Sequence, residues 1–218
     1  MNNKYTIIKN NKTYNIEYID NSYHSELRRG KMVEKLIGRL YKSYEQTDGK
    51  DYYDLKVVDN NNEELLIEVK ADHSAGTYNF GTMRFTKTKA KNKDNIVEDG
   101  FLYDLTKVDR FVYVRFNKEI YNKVDYIFIF DSKKLYERVM KLEEERPDTI
   151  MKCIGDKTRQ NQYNKNNYQY KEIHYIPIFK RDNNNEYIVN DYFKDTLVEC
   201  KKSNFIFNYM MTNKELGL

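Results

Sequence analysis

The sequence is poor in the residues that cross-link, break or anchor a fold. Its 218 residues include two cysteines, Cys153 and Cys200, two prolines and three histidines. Two cysteines predict no disulfide framework, and their spacing from the histidines is not that of a zinc site. No stretch rich in proline and serine marks a linker, so we expect one domain. The sequence also shows no signal peptide, and we expect a cytoplasmic, intracellular protein.

Long apolar runs are also missing. No segment approaches the roughly 20 apolar residues that a helix needs to cross a bilayer, so we expect no membrane contact. Apolar residues make up 39% of the chain, and its 21 tyrosines each combine a large apolar ring with a polar tip. The formal net charge of +4 permits binding to nucleic acid without requiring it. The abundance of Lys and Asn is typical of codon bias in an AT-rich genome, so these counts carry little functional weight.

Hydrophobic periodicity predicts both strands and helices. Segments 4–9 and 12–19 alternate around Asn10-Asn11 and predict an N-terminal β-hairpin. Apolar residues at three- and four-residue intervals predict a long helix over 25–45, with Ser25 as its N-cap. Further strands are predicted at 105–116, 126–130 and 173–179, and a helix capped by Asp131 or Ser132 that ends before Pro147.

This order of elements predicts an α/β protein with a central mixed β-sheet flanked by helices. We expect one domain over 1–218, in which 1–24 is a decorating hairpin, 34–131 is the core and 151–218 is a C-terminal extension. Residues 192–218 show no clear pattern.

The most informative stretch is 52–72, where two apolar-rich runs flank Asn60-Asn61-Asn62. Asparagine tolerates positive φ and hydrogen-bonds its own backbone, so these residues predict the turn of a β-hairpin. If the three asparagines form the loop, Asp59 faces Glu63. The same register then places two more acids, Asp54 and Glu68, opposite each other.

Facing carboxylates on neighbouring strands predict a cation between them. Their Cβ atoms lie about 5 Å apart, and two negative charges at that distance repel. A hard divalent ion bound by the carboxylate oxygens of Asp54 and Glu68 relieves this repulsion. Lys70 lies on the same strand face and can hold a water or phosphate oxygen beside the metal. This arrangement suits metal-assisted phosphodiester hydrolysis; the alternative is a solvated strand face with an ordinary Glu–Lys ion pair.

These residues resemble a known motif. Asp54, followed after 13 residues by Glu68-Val69-Lys70, is similar to the signature of the PD-(D/E)XK nuclease superfamily, the restriction-endonuclease-like proteins. Tyr53 stands where that signature has proline. The resemblance implies a restriction-endonuclease-like core in which Asp54, Glu68 and Lys70 are catalytic.

The resemblance also implies a metal site. Mg²⁺, with Mn²⁺ as a substitute, would be held by Asp54, Glu68 and the backbone carbonyl of Val69. In many members of the family the preceding helix adds a glutamate, and Glu34 matches that position. The alternative for Glu34 is an exposed helix glutamate that pairs with Lys31 or Arg39.

Two basic stretches are candidate phosphate contacts. Segment 84–93 contains five basic residues and no acid, and segment 151–171 combines basic, amide and tyrosine side chains with a single acid. Such compositions suit a loop that contacts the DNA backbone or stacks on bases. The alternative is a lysine-rich surface loop that reflects codon usage. The predicted contacts are Arg84, Lys87, Lys89, Lys91, Lys157 and Arg159.

The sequence therefore predicts a divalent-metal-dependent endonuclease that acts on DNA. Cutting both strands needs two active sites, and the chain offers one, so we expect a homodimer. The apolar segments 205–207 and 209–211 are a candidate dimer surface, with packing on the protein's own body as the alternative. Two other functions stay open: a nuclease selective for junctions or branched DNA, and a non-catalytic module that binds nucleic acid or protein.

Overall fold

The structure is a computed structural model. It describes residues 3–9, 12–18, 23–47, 51–72, 82–90, 96–97, 100–117, 123–155, 170–184 and 186–207.

Short strands and a few helices make up this part of the chain. The helices are α1 (Tyr23–Gly38), α2 (Phe101–Asp104) and α3 (Ser132–Glu145), with short 3-10 helices at Pro147–Thr149 and Asp191–Thr196. The strands are β1 (Asn3–Lys9), β2 (Lys12–Tyr18), β3 (Ser43–Gln46), β4 (Leu55–Val58), β5 (Glu64–Asp72), β6 (Met83–Ala90), β7 (Ile96–Val97), β8 (Arg110–Phe116), β9 (Val124–Asp131), β10 (Met151–Gly155), β11 (Tyr170–Ile176), β12 (Phe179–Arg181), β13 (Tyr187–Val189) and β14 (Leu197–Lys202). None of the described helices is long and apolar enough to span a bilayer.

A six-stranded sheet forms the centre of the protein. Its order is β14-β9-β8-β5-β4-β3. The β5–β8 pair is parallel and the other pairs are antiparallel, so the sheet is mixed, as predicted. Strand β14 comes from the segment that the sequence assigned to a C-terminal extension, and it forms one edge of this sheet.

Alternating side chains give the sheet two buried faces. Val112 and Val114 of β8 pack with Val33 and Ile37 of α1 on one side, called here the α1 face. Residues such as Phe111 point to the other side, called here the α3 face. There α3 packs together with a second sheet of order β10-β11-β6-β7. Helices therefore cover both faces, which confirms the predicted layering.

The hairpin predicted around the three asparagines is present in the predicted register. Leu55 pairs with Ile67 and Val58 with Glu64 across β4 and β5. The Asp59 carboxylate accepts hydrogen bonds from the backbone N–H groups of Asn61 and Glu63 at 2.8 and 2.9 Å. Asn62 has a φ of 65°, a conformation that asparagine tolerates. The N-terminal hairpin, β1 with β2, also forms as predicted.

The first helix is shorter than the sequence predicted. It ends at Gly38 instead of continuing to residue 45, and Ser43–Gln46 forms β3 at the sheet edge. Glycine has a poor helix propensity, and a Cβ at Gly38 would lie 2.5 Å from the Tyr44 ring, which packs against it. Because α1 already begins at Tyr23, Ser25 lies inside the helix and is not its N-cap.

Three other predictions need correction. The lysine-rich segment from residue 84 was treated as a loop, but 83–90 forms strand β6. Part of 151–171 is also strand, in β10 and at the start of β11. The strand predicted from residue 105 begins at Arg110, because 101–104 forms α2 and Thr106 and Lys107 continue it as a turn. The last predicted helix is confirmed: Asp131 accepts a hydrogen bond from the Lys134 N–H at 3.1 Å, and α3 ends before Pro147.

A buried charge network joins α3 to the second sheet. His174 of β11 is fully buried, and its two ring nitrogens contact the carboxylates of Glu143 and Glu172, the latter at 2.5 Å. Lys87 of β6 donates to the other Glu143 oxygen at 2.7 Å. Two carboxylate partners require protons on both ring nitrogens, so His174 is an imidazolium. Burial lowers the pKa of His174, but its hydrogen bonds to Glu143 and Glu172 outweigh this and raise it. Burial raises the pKa of Glu143, but His174 and Lys87 bring it down to about 2.

We expect His174→Gln to destabilise the protein by about 3 kcal/mol at pH 6, because it removes the buried positive charge that Glu172 and Glu143 contact and leaves Lys87 as the remaining partner of Glu143. A raised histidine pKa stabilises the fold fully below about pH 6.5 and loses this effect as the pH rises through the folded-state pKa. The difference between wild type and variant should therefore shrink at pH 9. Urea unfolding followed by circular dichroism measures both values. Glu144→Gln, an exposed neighbour on α3, is the control, and an equal cost of His174→Gln at both pH values would contradict the charge assignment.

Candidate active site

The β4–β5 hairpin brings Asp54 and Glu68 together. Asp54 immediately precedes β4, and its backbone N–H donates to the Ile67 carbonyl at 2.9 Å. One oxygen of its carboxylate accepts a hydrogen bond from the Val69 N–H at 2.8 Å. The side chain of Asp54 is thus fixed against β5, beside Glu68, in the arrangement that the register predicts.

Glu68 is a buried carboxyl group with an unusual pKa. Only 7% of the Glu68 surface is exposed to solvent. Burial raises the pKa, the positive charge of Lys70 lowers it, and the negative charge of Asp54 raises it, with a net value of about 7. A hydrogen bond between the carboxyl groups of Glu68 and Asp54 also favours the protonated form of Glu68. Glu68 therefore holds a proton near neutral pH, in a hydrogen bond with Asp54.

Lys70 stands beside this pair as a cation. Its Nζ contacts Glu68 Oε1 and lies 4.6 Å above the centre of the Phe101 ring. Burial lowers the pKa of Lys70, but the charges of Glu68 and Asp54 outweigh this and raise it. Lys70 is therefore protonated at neutral pH, and close to half of its side chain remains accessible to solvent.

Glu34 of α1 is buried next to the pair. It is 7% exposed, which excludes the alternative of an exposed helix glutamate, although it does pair with Lys31 at 3.0 Å. Gln46 of β3 donates to the same Glu34 oxygen at 2.6 Å. Burial raises the pKa of Glu34, and the negative charge of Asp54 raises it further. Together they outweigh Gln46 and Lys31, which lower it.

Two supporting residues, Gln46 and Phe101, were not identified in the sequence, and Lys31 was named only as the partner of an exposed Glu34. Gln46 and Lys31 hold Glu34 in place, and Lys31 also donates to the Thr47 carbonyl at 2.6 Å. Gln46 was not identified because residues 43–45, which form β3 together with it, were predicted as helix. Phe101, the ring beneath Lys70, belongs to α2, which the sequence did not predict. No local signal in the sequence connects Phe101 to Lys70.

The donor set fits a hard divalent cation. Asp54, Glu68 and Glu34 offer carboxylate oxygens, the ligands that Mg²⁺ takes in proteins. A buried, protonated carboxyl group beside a second carboxyl group is a site where a cation can replace the proton. Within the described ranges, however, no three side chains of His, Cys, Asp or Glu lie close enough together to hold one ion. The two oxygen donors that lie together are those of Asp54 and Glu68.

The other predicted site residues are more dispersed. The Val69 side chain faces the core on the α1 face, while its backbone N–H binds Asp54. Arg84 is exposed on β6. Lys87 was predicted to contact phosphate, but its ammonium group is mostly buried in an ion pair with Glu143. Lys89 lies on β6. Residues Lys91, Lys157 and Arg159 lie outside the described residues.

Comparisons with known proteins give little similarity. No family model matches the chain, and no curated protein matches it. Among solved structures, the chain is similar to a bacterial homing endonuclease, with a TM-score of 0.36 and 20% identity. That similarity covers 52% of this chain and 73% of the other. A likeness at this level assigns neither a family nor a function.

Proposed function

We propose that this protein has a restriction-endonuclease-like core and is a divalent-metal-dependent endonuclease that hydrolyses phosphodiester bonds of DNA. The observation that carries the proposal is the buried Glu68, with Asp54 and Lys70 beside it. Asp54 and Glu68 would hold Mg²⁺, for which Mn²⁺ would substitute, with Glu34 and the backbone carbonyl of Val69 as further ligands. A buried acid beside a second acid destabilises the folded protein when it ionises. A cation bound between Glu68 and Asp54 would offset this loss and so accounts for their position.

Each residue then has a defined role. A bound divalent cation lowers the pKa of a water molecule and polarises the phosphate. Asp54 is oriented by the Val69 N–H, so its carboxylate is fixed before substrate arrives. Lys70 is a cation with a raised pKa, and it therefore stabilises negative charge on the phosphate or orients water rather than accepting a proton. Its position above Phe101 limits the directions in which its ammonium can point.

The substrate contacts of the proposal are the basic residues that the sequence predicts. Arg84 is exposed and available for a phosphate. Lys89, Lys91, Lys157 and Arg159 remain proposed contacts, whereas Lys87 is used inside the protein by Glu143.

Nicking of a supercoiled plasmid tests the proposed activity. We expect wild-type protein to relax the plasmid with Mg²⁺ or Mn²⁺ and not with EDTA. Lys70→Met should reduce the rate by about 10²-fold, because it removes a charge that stabilises the transition state. Lys56→Ala is the matched control, since Lys56 lies on the same hairpin but pairs with exposed Glu64. Wild type that cuts neither plasmid nor branched DNA with either metal would overturn the proposal and favour a non-catalytic binding module.

A homodimer remains our prediction for concerted cleavage of both strands. The apolar segment 205–207 is partly used within the protein, because Phe207 is buried and stacks on Phe116 at 5.8 Å. Phe205 stays 40% exposed, and residues 209–211 lie outside the described residues. Light scattering of the protein, alone and with duplex DNA, should give twice the monomer mass in at least one condition. A monomer in both conditions that only nicks DNA would contradict the dimer and favour a nickase or branched-DNA enzyme.

A further inference from the structure

A second polar site lies between α3 and the 3-10 helix Asp191–Thr196. It is an open groove of about 650 Å³. Basic, acidic and aromatic side chains line it together. They are Arg138, Arg146, Asn190, Asp191, Tyr192, Lys194 and Asp195. None of them takes part in the site formed by Asp54, Glu68 and Lys70.

Two arginines share the ring of one tyrosine in this groove. The guanidinium carbons of Arg138 and Arg146 lie 5.2 and 5.4 Å from the centre of the Tyr192 ring. The Tyr192 hydroxyl donates to the Glu145 carboxylate at 3.0 Å, which fixes the ring against α3. A guanidinium held against an aromatic ring loses little further entropy when it binds, and its planar N–H groups fit phosphate oxygens.

The charges of the groove leave one cation in excess. Asp195 pairs with Arg138, and Asp191 pairs with Lys180 and with Lys194, the latter at 2.6 Å. Arg146 is exposed, and within the described part of the chain no carboxylate lies within ion-pair distance of it. Arg146 is therefore a positioned positive charge that no described carboxylate neutralises.

The groove and the carboxylate pair lie on the same side of the central sheet. Glu68 of β5 is the register partner of Phe111, which is buried on the α3 face. Leu135 of α3 and Phe193 of the 3-10 helix belong to the same apolar cluster.

The start of α3 lies at the same end of that sheet as Asp54. The register of β5, β8 and β9 pairs Ile67 with Arg110 and Arg110 with Asp131, the residue before α3. The α2 turn touches α3 through Tyr103 and Tyr136, whose rings are 6.0 Å apart. The groove arginines follow further along the helix, with Arg138 inside α3 and Arg146 at its C-terminal end.

We propose that this groove binds the phosphate backbone of a polynucleotide, away from the Asp54–Glu68 pair, and so holds the strand that the pair would cut. The assignment of a polynucleotide rests on the proposed function, whereas the phosphate chemistry follows from the arginines themselves. Arg146 makes the principal contact with phosphate. Arg138, the second arginine near the Tyr192 ring, adds a second guanidinium group, and Lys194 adds positive charge at the edge of the groove. A free phosphate or a mononucleotide offers the same chemistry and is the alternative source of the ligand.

Fluorescence anisotropy of a labelled oligonucleotide, measured in EDTA across a salt series, tests this assignment without cleavage. Arg146→Ala should weaken binding by roughly threefold to tenfold and reduce the slope of log affinity against log salt by about one, the value for one lost phosphate contact. Lys194→Ala should act in the same direction. Lys202→Ala, an exposed lysine of β14 that pairs with Glu186 at 2.6 Å and does not line the groove, is the matched control. Circular dichroism confirms folding of each variant.

The outcomes separate this proposal from the nuclease proposal. A lower slope in the Arg146 and Lys194 variants supports the groove even if the wild type cuts no DNA. An unchanged slope in both variants overturns the groove even if the wild type is an active nuclease. Isothermal titration with inorganic phosphate and with adenosine monophosphate completes the test. Arg146-dependent binding of either, together with oligonucleotide binding that does not depend on Arg146, overturns the polynucleotide assignment in favour of a small phosphate ligand.

Discussion

Glu68→Gln is expected to lower metal-dependent DNA cleavage by at least about 10²-fold. The amide keeps the volume of the side chain and its place beside Lys70, but it removes the negative charge that would bind the cation. Asp54→Asn should have an effect of the same order, because the Val69 N–H still orients the side chain while its charge is lost. Initial rates of plasmid nicking at saturating Mg²⁺ measure both losses.

Glu64→Gln is the control for this experiment. Glu64 lies on β5 four residues before Glu68 and on the same strand face, but it is exposed and pairs with Lys56 at 2.8 Å. Its replacement should leave the rate within about twofold of wild type, because an exposed ion pair contributes little to the fold and this one lies outside the site. Cleavage by Glu68→Gln at the rate of Glu64→Gln would show that Glu68 is not part of a metal site.

The same substitution of Glu68 is expected to stabilise the protein when no metal is present. The pKa of Glu68 is about 7 in the folded state, above the usual carboxyl range, chiefly because the group is buried. A raised pKa means that folding favours the protonated acid, so the fold loses stability as the pH rises from the unfolded-state pKa through about 7. The amide of the Glu68→Gln variant cannot ionise and escapes this loss. Between pH 5 and pH 8 the variant should gain about 2 kcal/mol relative to wild type, or roughly 4–8 °C in melting temperature.

Thermal unfolding in EDTA at several pH values measures this gain. Glu64→Gln, whose side chain is exposed, should show no comparable trend between pH 5 and pH 8. A constant difference between Glu68→Gln and wild type across that range would contradict a buried, protonated Glu68. Excess Mg²⁺ at pH 8 should instead favour the wild type, because a ligand that binds only the folded state stabilises it.

The sequence predicted the parts of the site that depend on local pattern. The asparagine turn and the alternation of apolar residues in 55–69 determine one register, and that register places Asp54 beside Glu68. Glu34 was named because its place in the helix before the hairpin matches that of a glutamate in the family that the motif resembles. The turn residues and the apolar alternation are patterns over a few residues, so they can be recognised even in a sequence that is rich in Lys and Asn.

The parts that were missed depend on contacts between distant segments. Residues 43–45 continue the apolar spacing of α1, so the sequence predicts helix there. The structure instead pairs residues 43–46 with β4 as strand β3. The second sheet joins β6 to β11 across a long separation in sequence, and its lysines gave β6 the composition of a loop. The network of Lys87, Glu143 and His174 comes from three such segments, and no spacing in the sequence predicts that they meet.

Calorimetric titration with Mn²⁺ tests the central claim most directly, because it asks whether Asp54 and Glu68 bind a divalent cation without requiring any substrate. We expect wild type and Glu64→Gln to bind Mn²⁺ with the same affinity, and Asp54→Asn and Glu68→Gln to lose most of that binding. Binding to wild type should release a proton at pH 6, where Glu68 is largely protonated, and release much less at pH 8.5. Equal Mn²⁺ binding by wild type and Glu68→Gln, or none by wild type at either pH, would contradict the account.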